Sequence, residues 1–247
     1  LSKSTIPRLV TMIGSTNTGK RVIADSTTSI KKLSMELGGN APFIVFDDAD
    51  FEAALDLAIG IKFGNSGQIC VAANRFFIHK NIFDSFLKAY VERVNKIKLG
   101  FGKNEKVDMG PLINFQARKR IMNLVKDAVN NGAHVETGGN IPEKFKKGYW
   151  LEPTVLSNVN SKMKIYKEEI FGPVACIMSF DHENEVLTLA NDTKYGLASY
   201  LFTKDKDRIE YFSKNLDFGE VQVNGIKYAI YLPHGGVKDS GLGHDCS

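Results

Sequence analysis

Short apolar runs and longer amphipathic stretches take turns along most of this chain, and that alternation restricts the fold more than any other feature. Leu9–Ile13 is apolar and runs into a glycine-rich turn at 14–19. Residues 43–46 (FIVF) read as a buried strand, followed by Asp47 and Asp48, which stand where they can cap a helix over 51–63. Over 82–97, Phe83, Phe86, Leu87, Tyr90, Val91, Val94 and Ile97 share one helical face, the pattern of a core stripe. A further helix over 116–131 stops at Gly132, in the position just past a helix end where glycine is favoured. Strands are expected at 134–136, 154–156, 174–180, 199–203 and 219–223, with helices over 183–191 and 206–215 between the last three. This order predicts an α/β fold built from βαβ units around a mostly parallel sheet.

Composition narrows the function classes. With 247 residues the chain can bury one large core or two modest ones. Its net charge of +4 is small, and the lysine-rich run at 144–147 is interrupted by Phe145, so no basic stripe marks a nucleic-acid partner. Cys70, Cys176 and Cys246 are far apart without CxxC spacing, which argues against a disulfide framework and against a metal site. No apolar run approaches the ~18 residues that span a bilayer, and no leader pattern opens the chain. The expected setting is cytoplasmic, with no membrane among the partners. Leu1 stands where a natural start would have Met, so the chain reads as a piece of a longer one.

The turn Gly14-Ser15-Thr16-Asn17-Thr18-Gly19-Lys20 admits two readings. It fits most of a P-loop, which would make the chain a nucleotide-binding protein, but Arg21 stands where Ser or Thr should hold Mg²⁺. The alternative is a strand-turn-helix whose backbone N–H groups and Ser15 hydroxyl meet a dinucleotide pyrophosphate. It lacks the GxGxxG of the usual dinucleotide fingerprint.

Downstream, Glu36-Leu37-Gly38-Gly39-Asn40 sets a carboxylate immediately before a double glycine, and Gly64-Asn65-Ser66-Gly67-Gln68-Ile69-Cys70 sets a thiol on a glycine-flanked loop. Glycines there permit close backbone approach, which suits a reactive loop. A thiol attacks a carbonyl carbon, and a carboxylate activates the thiol and later a water.

These motifs resemble those of the aldehyde dehydrogenase superfamily. Met35-Glu36-Leu37-Gly38-Gly39 resembles its general-base motif and Gly67-Gln68-Ile69-Cys70 its nucleophile motif, at the family's separation. Glu168-Glu169-Ile170-Phe171-Gly172-Pro173 resembles a third hallmark, and Asn191 through Gly196-Leu197-Ala198 a fourth. Pro233-His234-Gly235-Gly236-Val237-Lys238-Asp239-Ser240-Gly241 resembles the C-terminal PFGG-x-K-x-SG motif, with His234 in place of Phe.

The resemblance implies a three-layer catalytic domain with a mostly parallel sheet over residues 40–231. It also implies a remnant of a Rossmann-like NAD(P)-binding domain over 1–39 and a return segment over 232–247. It implies Cys70 as nucleophile and Glu36 as general base. Gly14, Ser15, Gly19, Leu37, Glu169 and Phe171 would hold NAD or NADP. Phe63, Tyr228 and His234 would line the pocket of a small aldehyde, of the lactaldehyde or succinate-semialdehyde type. The family's oxyanion asparagine and ribose lysine belong to upstream motifs outside this chain, so the chain alone is expected to be inactive, and the whole protein to be a homodimer or homotetramer. A non-catalytic structural protein of the same fold is the remaining alternative.

Overall fold

The structure, a computed structural model, describes residues 1–103 and 106–246. Seven strands form the main sheet: β3 (Ala41–Val45), β4 (Ala73–His79), β5 (His134–Thr137), β6 (Thr154–Ser157), β7 (Val174–Phe180), β9 (Ala198–Phe202) and β10 (Glu220–Val223). Their order is β10-β9-β3-β4-β7-β6-β5, and every pairing is parallel except that of β5 with β6. A second sheet joins the two ends of the chain. In it β1 (Leu9–Ile13) lies parallel to β2 (Lys32–Glu36), and β12 (Gly241–Leu242) pairs antiparallel with the other edge of β2. A short antiparallel ribbon of β8 (Tyr195–Gly196) and β11 (Val237–Lys238) completes the strands among the described residues.

The central strands are buried on both faces, so they read as continuous apolar runs. Alternate residues still go to different sides. Phe43, Val45, Phe76, Ile78 and Ile177 pack in one cluster with helices α2 (Phe51–Phe63) and α3 (Phe83–Val94). Ile44, Phe77, Cys176 and Met178 pack on the other side. There they meet α4 (Phe115–Asn130), α6 (Glu183–Asn191) and α7 (Lys206–Asn215), while the short α5 (Lys164–Lys167) seats Ile165 and Tyr166 in the same cluster. This is the α/β fold with a mostly parallel sheet that the sequence pattern predicted, in the three layers that the family resemblance implied. The stripe on α3 behaves as expected, with Phe86, Tyr90 and Val94 fully enclosed. Gly132 follows α4 with φ +99°, a conformation open to glycine at little cost.

Two details differ from expectation. The cap of α2 is Asp50, whose side chain accepts from the Ala53 N–H at 3.1 Å, rather than Asp47 or Asp48. Asp48 instead accepts from Thr203 and from the backbone of Lys204 and Asp205. The sheet's central strand β4 also escapes the sequence pattern, because Arg75 interrupts its apolar run. That guanidinium is fully buried and donates to the carbonyls of Asn40, Leu189 and Ala190, so it knits three segments together by charge-assisted hydrogen bonds.

Candidate active site

The thiol is presented by a turn that few sequences can adopt. After α2, Asn65, Ser66 and Gly67 take φ values of 49°, 59° and 69° in succession. The two non-glycine residues cost on the order of 1–3 kcal/mol each. Hydrogen bonds hold the loop against this strain. Ser66 Oγ donates to the Gly110 carbonyl at 2.8 Å, and Gln68 Oε1 accepts from Ile113 N–H at 3.0 Å. At Gly67 a Cβ would sit 2.2 Å from the Gly172 carbonyl oxygen, so the loop backbone touches the Glu169 segment directly.

The carboxylate reaches the same place from the other side. Glu36 is the last residue of β2, and the Gly14 N–H donates to its carbonyl at 3.0 Å, which docks the glycine-rich turn beside it. The two glycines that follow are contact points. A Cβ on Gly38 would meet Glu169 Oε2 at 2.7 Å, and one on Gly39 would meet the Cys70 carbonyl oxygen at 2.2 Å. The C-terminal motif clamps this segment. Ser240 is fully buried, its hydroxyl donates to the Gly38 carbonyl at 2.7 Å, and its carbonyl accepts from Leu37 N–H at 2.9 Å.

Together these segments wall a cavity of about 920 Å³ lined by Gly14, Ser15, Thr16, Asn17, Glu36, Leu37, Cys70, Glu169, Phe171 and Tyr195, among others. Helix α1 (Thr16–Asp25) points its N-terminus at it, with no acidic residue in the first turn. The Ser15 hydroxyl caps that helix, accepting from Thr18 N–H at 3.3 Å. Glu169 Oε1 accepts from Gly39 N–H at 3.0 Å, leaving a half-enclosed carboxylate on the wall. Arg120 donates to the carbonyls of Glu169 and Ile170 and so fixes that segment. A second cavity of about 560 Å³ is lined by Glu220, Gln222, Lys227, Tyr228, Leu232 and His234, among others. His234 connects the two, because its Nε2 lies 3.3 Å from Glu36 Oε2.

The site is electrostatically costly. Burial pushes the Glu36 carboxyl above the usual carboxylate range; Asp245 and Glu220 add to this, while His234 and His244 oppose it. Burial also pushes the Cys70 thiol up, with the Val71 backbone opposing and the Glu169 and Glu36 charges reinforcing. The Cys70 thiol thus stands in a site that favours its protonated form. Behind the wall, Lys62 is fully buried with Nζ donating to Asn74 Oδ1 at 2.9 Å, and burial brings its ammonium down to about 7.

Two expected site residues lie elsewhere. Phe63 is 3% exposed and packs with Phe76 and Tyr90 in the core, on neither cavity wall, because the end of α2 turns its ring toward α3. Gly19 also lines neither cavity. A Cβ there would meet the Leu37 side chain at 2.6 Å, so its smallness lets α1 pack on the Glu36 segment. Lys20 pairs with Asp239 at 2.8 Å, and α1 begins at Thr16, before Gly19. Neither is the P-loop arrangement, in which the lysine serves phosphates. Sequence reasoning missed Glu220 and Lys62. Glu220 sits in an unremarkable strand, and Lys62 in a helix whose apolar neighbours are its only signal.

The family model for the aldehyde dehydrogenase family matches residues 1–247. Succinate-semialdehyde dehydrogenase [NADP(+)] 1 of Schizosaccharomyces pombe is 45% identical over the whole of this chain and 50% of its own length. The mitochondrial succinate-semialdehyde dehydrogenase of Oryza sativa is 44% identical, over the whole of this chain and 47% of its own. Among solved structures, a betaine aldehyde dehydrogenase of Staphylococcus aureus in complex with NAD⁺ superposes with a TM-score of 0.95 at 38% identity, covering 99% of this chain and 50% of that one. The chain spans about half the length of the relatives it matches.

Proposed function

The chain belongs to the aldehyde dehydrogenase family, and on that premise we propose that the whole protein oxidises a short carboxy-aldehyde of the succinate-semialdehyde type to its acid with NAD or NADP. The carrying observation is that Cys70, Glu36 and Glu169 line one cavity at the N-terminus of α1. The residues present fit a dinucleotide. A helix N-terminus without acidic residues suits a pyrophosphate, Glu169 suits ribose hydroxyls, and Phe171 offers an apolar face. The cofactor, when bound, accepts the hydride.

In this reading the Cys70 sulfur adds as the thiolate to the aldehyde carbon to give a thiohemiacetal oxyanion, whose C–O⁻ re-forms the carbonyl of a thioester as hydride departs. Glu36 then takes a proton from water. The resulting hydroxide oxygen bonds to the acyl carbon, the C–S bond breaks, and the acid leaves with the thiol restored. The carboxy-aldehyde assignment is supported by the names of the Schizosaccharomyces and Oryza relatives. Residues 1–39 are read as the end of the NAD(P)-binding domain, 40–231 as the catalytic domain and 232–247 as the return segment. The exposed Ile6, Leu9, Ile13 and Ile30 support this, as apolar residues at a face that more of the nucleotide-binding sheet would cover.

The test is NAD(P)H formation by the whole protein with succinate semialdehyde, lactaldehyde and betaine aldehyde. Succinate semialdehyde is expected to give the highest kcat/KM, and Cys70→Ala to abolish turnover with all three. Preference for betaine aldehyde would overturn the substrate assignment, and activity in Cys70→Ala would overturn the mechanism.

A further inference from the structure

We propose that His234 is a positioning residue for Glu36, anchored by Glu220, that holds the base ionised and aimed during thioester hydrolysis. This rests on Glu36 being the base. The imidazole stands between two carboxylates, with Nδ1 in contact with Glu220 Oε1 and Nε2 3.3 Å from Glu36 Oε2. Nδ1 shares a hydrogen bond with Glu220, whereas toward Glu36 the ring makes a close charge contact, since Oε2 takes no hydrogen bond among the described residues. The ring has little freedom to leave. Its backbone N–H donates to the Asp245 carbonyl at 2.9 Å, its carbonyl accepts from Asp245 N–H at 2.8 Å, and the Tyr228 ring stands edge-on to it at 6.2 Å.

Glu36 has a need that this arrangement meets. It is 6% exposed, and among the described residues its Oε2 has no hydrogen-bond partner. A buried carboxyl left to itself holds its proton and cannot take one from water. The charged groups facing it are Asp245 and Glu220, which push its pKa up, and His234 and His244, which pull it down, His234 the more strongly. Cys70 faces it across the cavity. Glu220 thus has two opposing effects: its own charge raises Glu36, while its contact with His234 keeps the imidazole in place beside Glu36. In the motif that residues 233–241 resemble, this position carries Phe, which can neither donate nor carry charge. Here a histidine stands against the Glu220 carboxylate.

The experiment uses the whole protein and follows decay of the acyl-enzyme by rapid quench and mass spectrometry across pH, which reads hydrolysis whether or not it limits turnover. His234→Phe places in the site the residue of the resembled motif, so folding should survive. The expected result is an acid limb moved to higher pH by ~0.5–1 unit, so that hydrolysis on that limb slows by about 3–10-fold. Glu220→Gln is expected to move the limb upward in the parent protein but not in the His234→Phe background. An unmoved limb in His234→Phe, or a change confined to KM, would overturn the inference. So would a Glu220→Gln shift that is the same in both backgrounds. In an active enzyme these outcomes leave the dehydrogenase reading standing. A parent protein that forms no acyl-enzyme at all fails that reading and the inference with it.

Discussion

Gly39→Ala should damage the site through geometry alone. The added methyl would lie 2.2 Å from the Cys70 carbonyl oxygen, a backbone atom that cannot swing aside like a side-chain tip. To reach an ordinary contact, the Glu36 segment and the Cys70 loop must separate by roughly 1 Å, and a misplacement of that size costs about 10²-fold in rate. Overpacking of this kind destabilises by ~1–3 kcal/mol, so the protein should still fold. The matched control is Gly60→Ala inside α2, where a Cβ meets nothing within 4 Å among the described residues. It should stabilise by roughly 0.5–1 kcal/mol, the usual gain of alanine over glycine in a helix. The assay is kcat/KM and Tm of the whole protein for both variants. A Gly39→Ala protein with kcat/KM within a few-fold of the parent would refute the argument that direct backbone contact sets the distance between base and nucleophile.

Two further outcomes follow from buried charge. Glu36 must be ionised to take a proton, and its pKa lies above the ordinary 4.5, so hydrolysis should fall about tenfold per unit as pH drops through that raised value; an acid limb at or below 4.5 would contradict this. Lys62 runs from 10.5 in the unfolded chain to about 7 when folded, so the unfolded state binds more protons between those values and stability should rise with pH across that window. Its full burial corresponds to a penalty of ~5 kcal/mol below pH 7. Lys62→Met orphans Asn74 Oδ1 at a cost of ~1–3 kcal/mol, and should still be more stable than the parent at pH 7 by denaturant unfolding, with that pH slope removed. A less stable variant would show that the ammonium is compensated in the fold.

Much of the architecture was legible because burial on both faces leaves long apolar runs, as at Val174–Phe180, and because helices such as Glu183–Asn191 and Lys206–Asn215 alternate with those runs. Strand β4 was not legible. Its buried Arg75 looks polar in sequence and is solvated by backbone carbonyls from segments far away in the chain. Glu36 and Cys70 stood out only through the family motifs that hold them, and the glycines of those motifs prove to be contacts rather than hinges. Phe63 was misread because proximity in sequence to Cys70 says nothing about direction: the left-handed turn at 65–67 separates its ring from the thiol. The link from His234 to Glu220 was invisible, since it depends on the return segment folding back on β10.

The central claim is that Cys70 carries the acyl group and Glu36 removes it. The most direct measurement is peptide mass spectrometry of the whole Glu36→Gln protein after mixing with succinate semialdehyde and NAD⁺ or NADP⁺, quenched in acid. The account requires a succinyl thioester that accumulates on the peptide holding Cys70, with Cys176 unmodified in its fully buried strand, its thiol pushed up to about 12. An acyl group on Cys176 or on the exposed Cys246, or none on Cys70 while NAD(P)H is still formed, would contradict it.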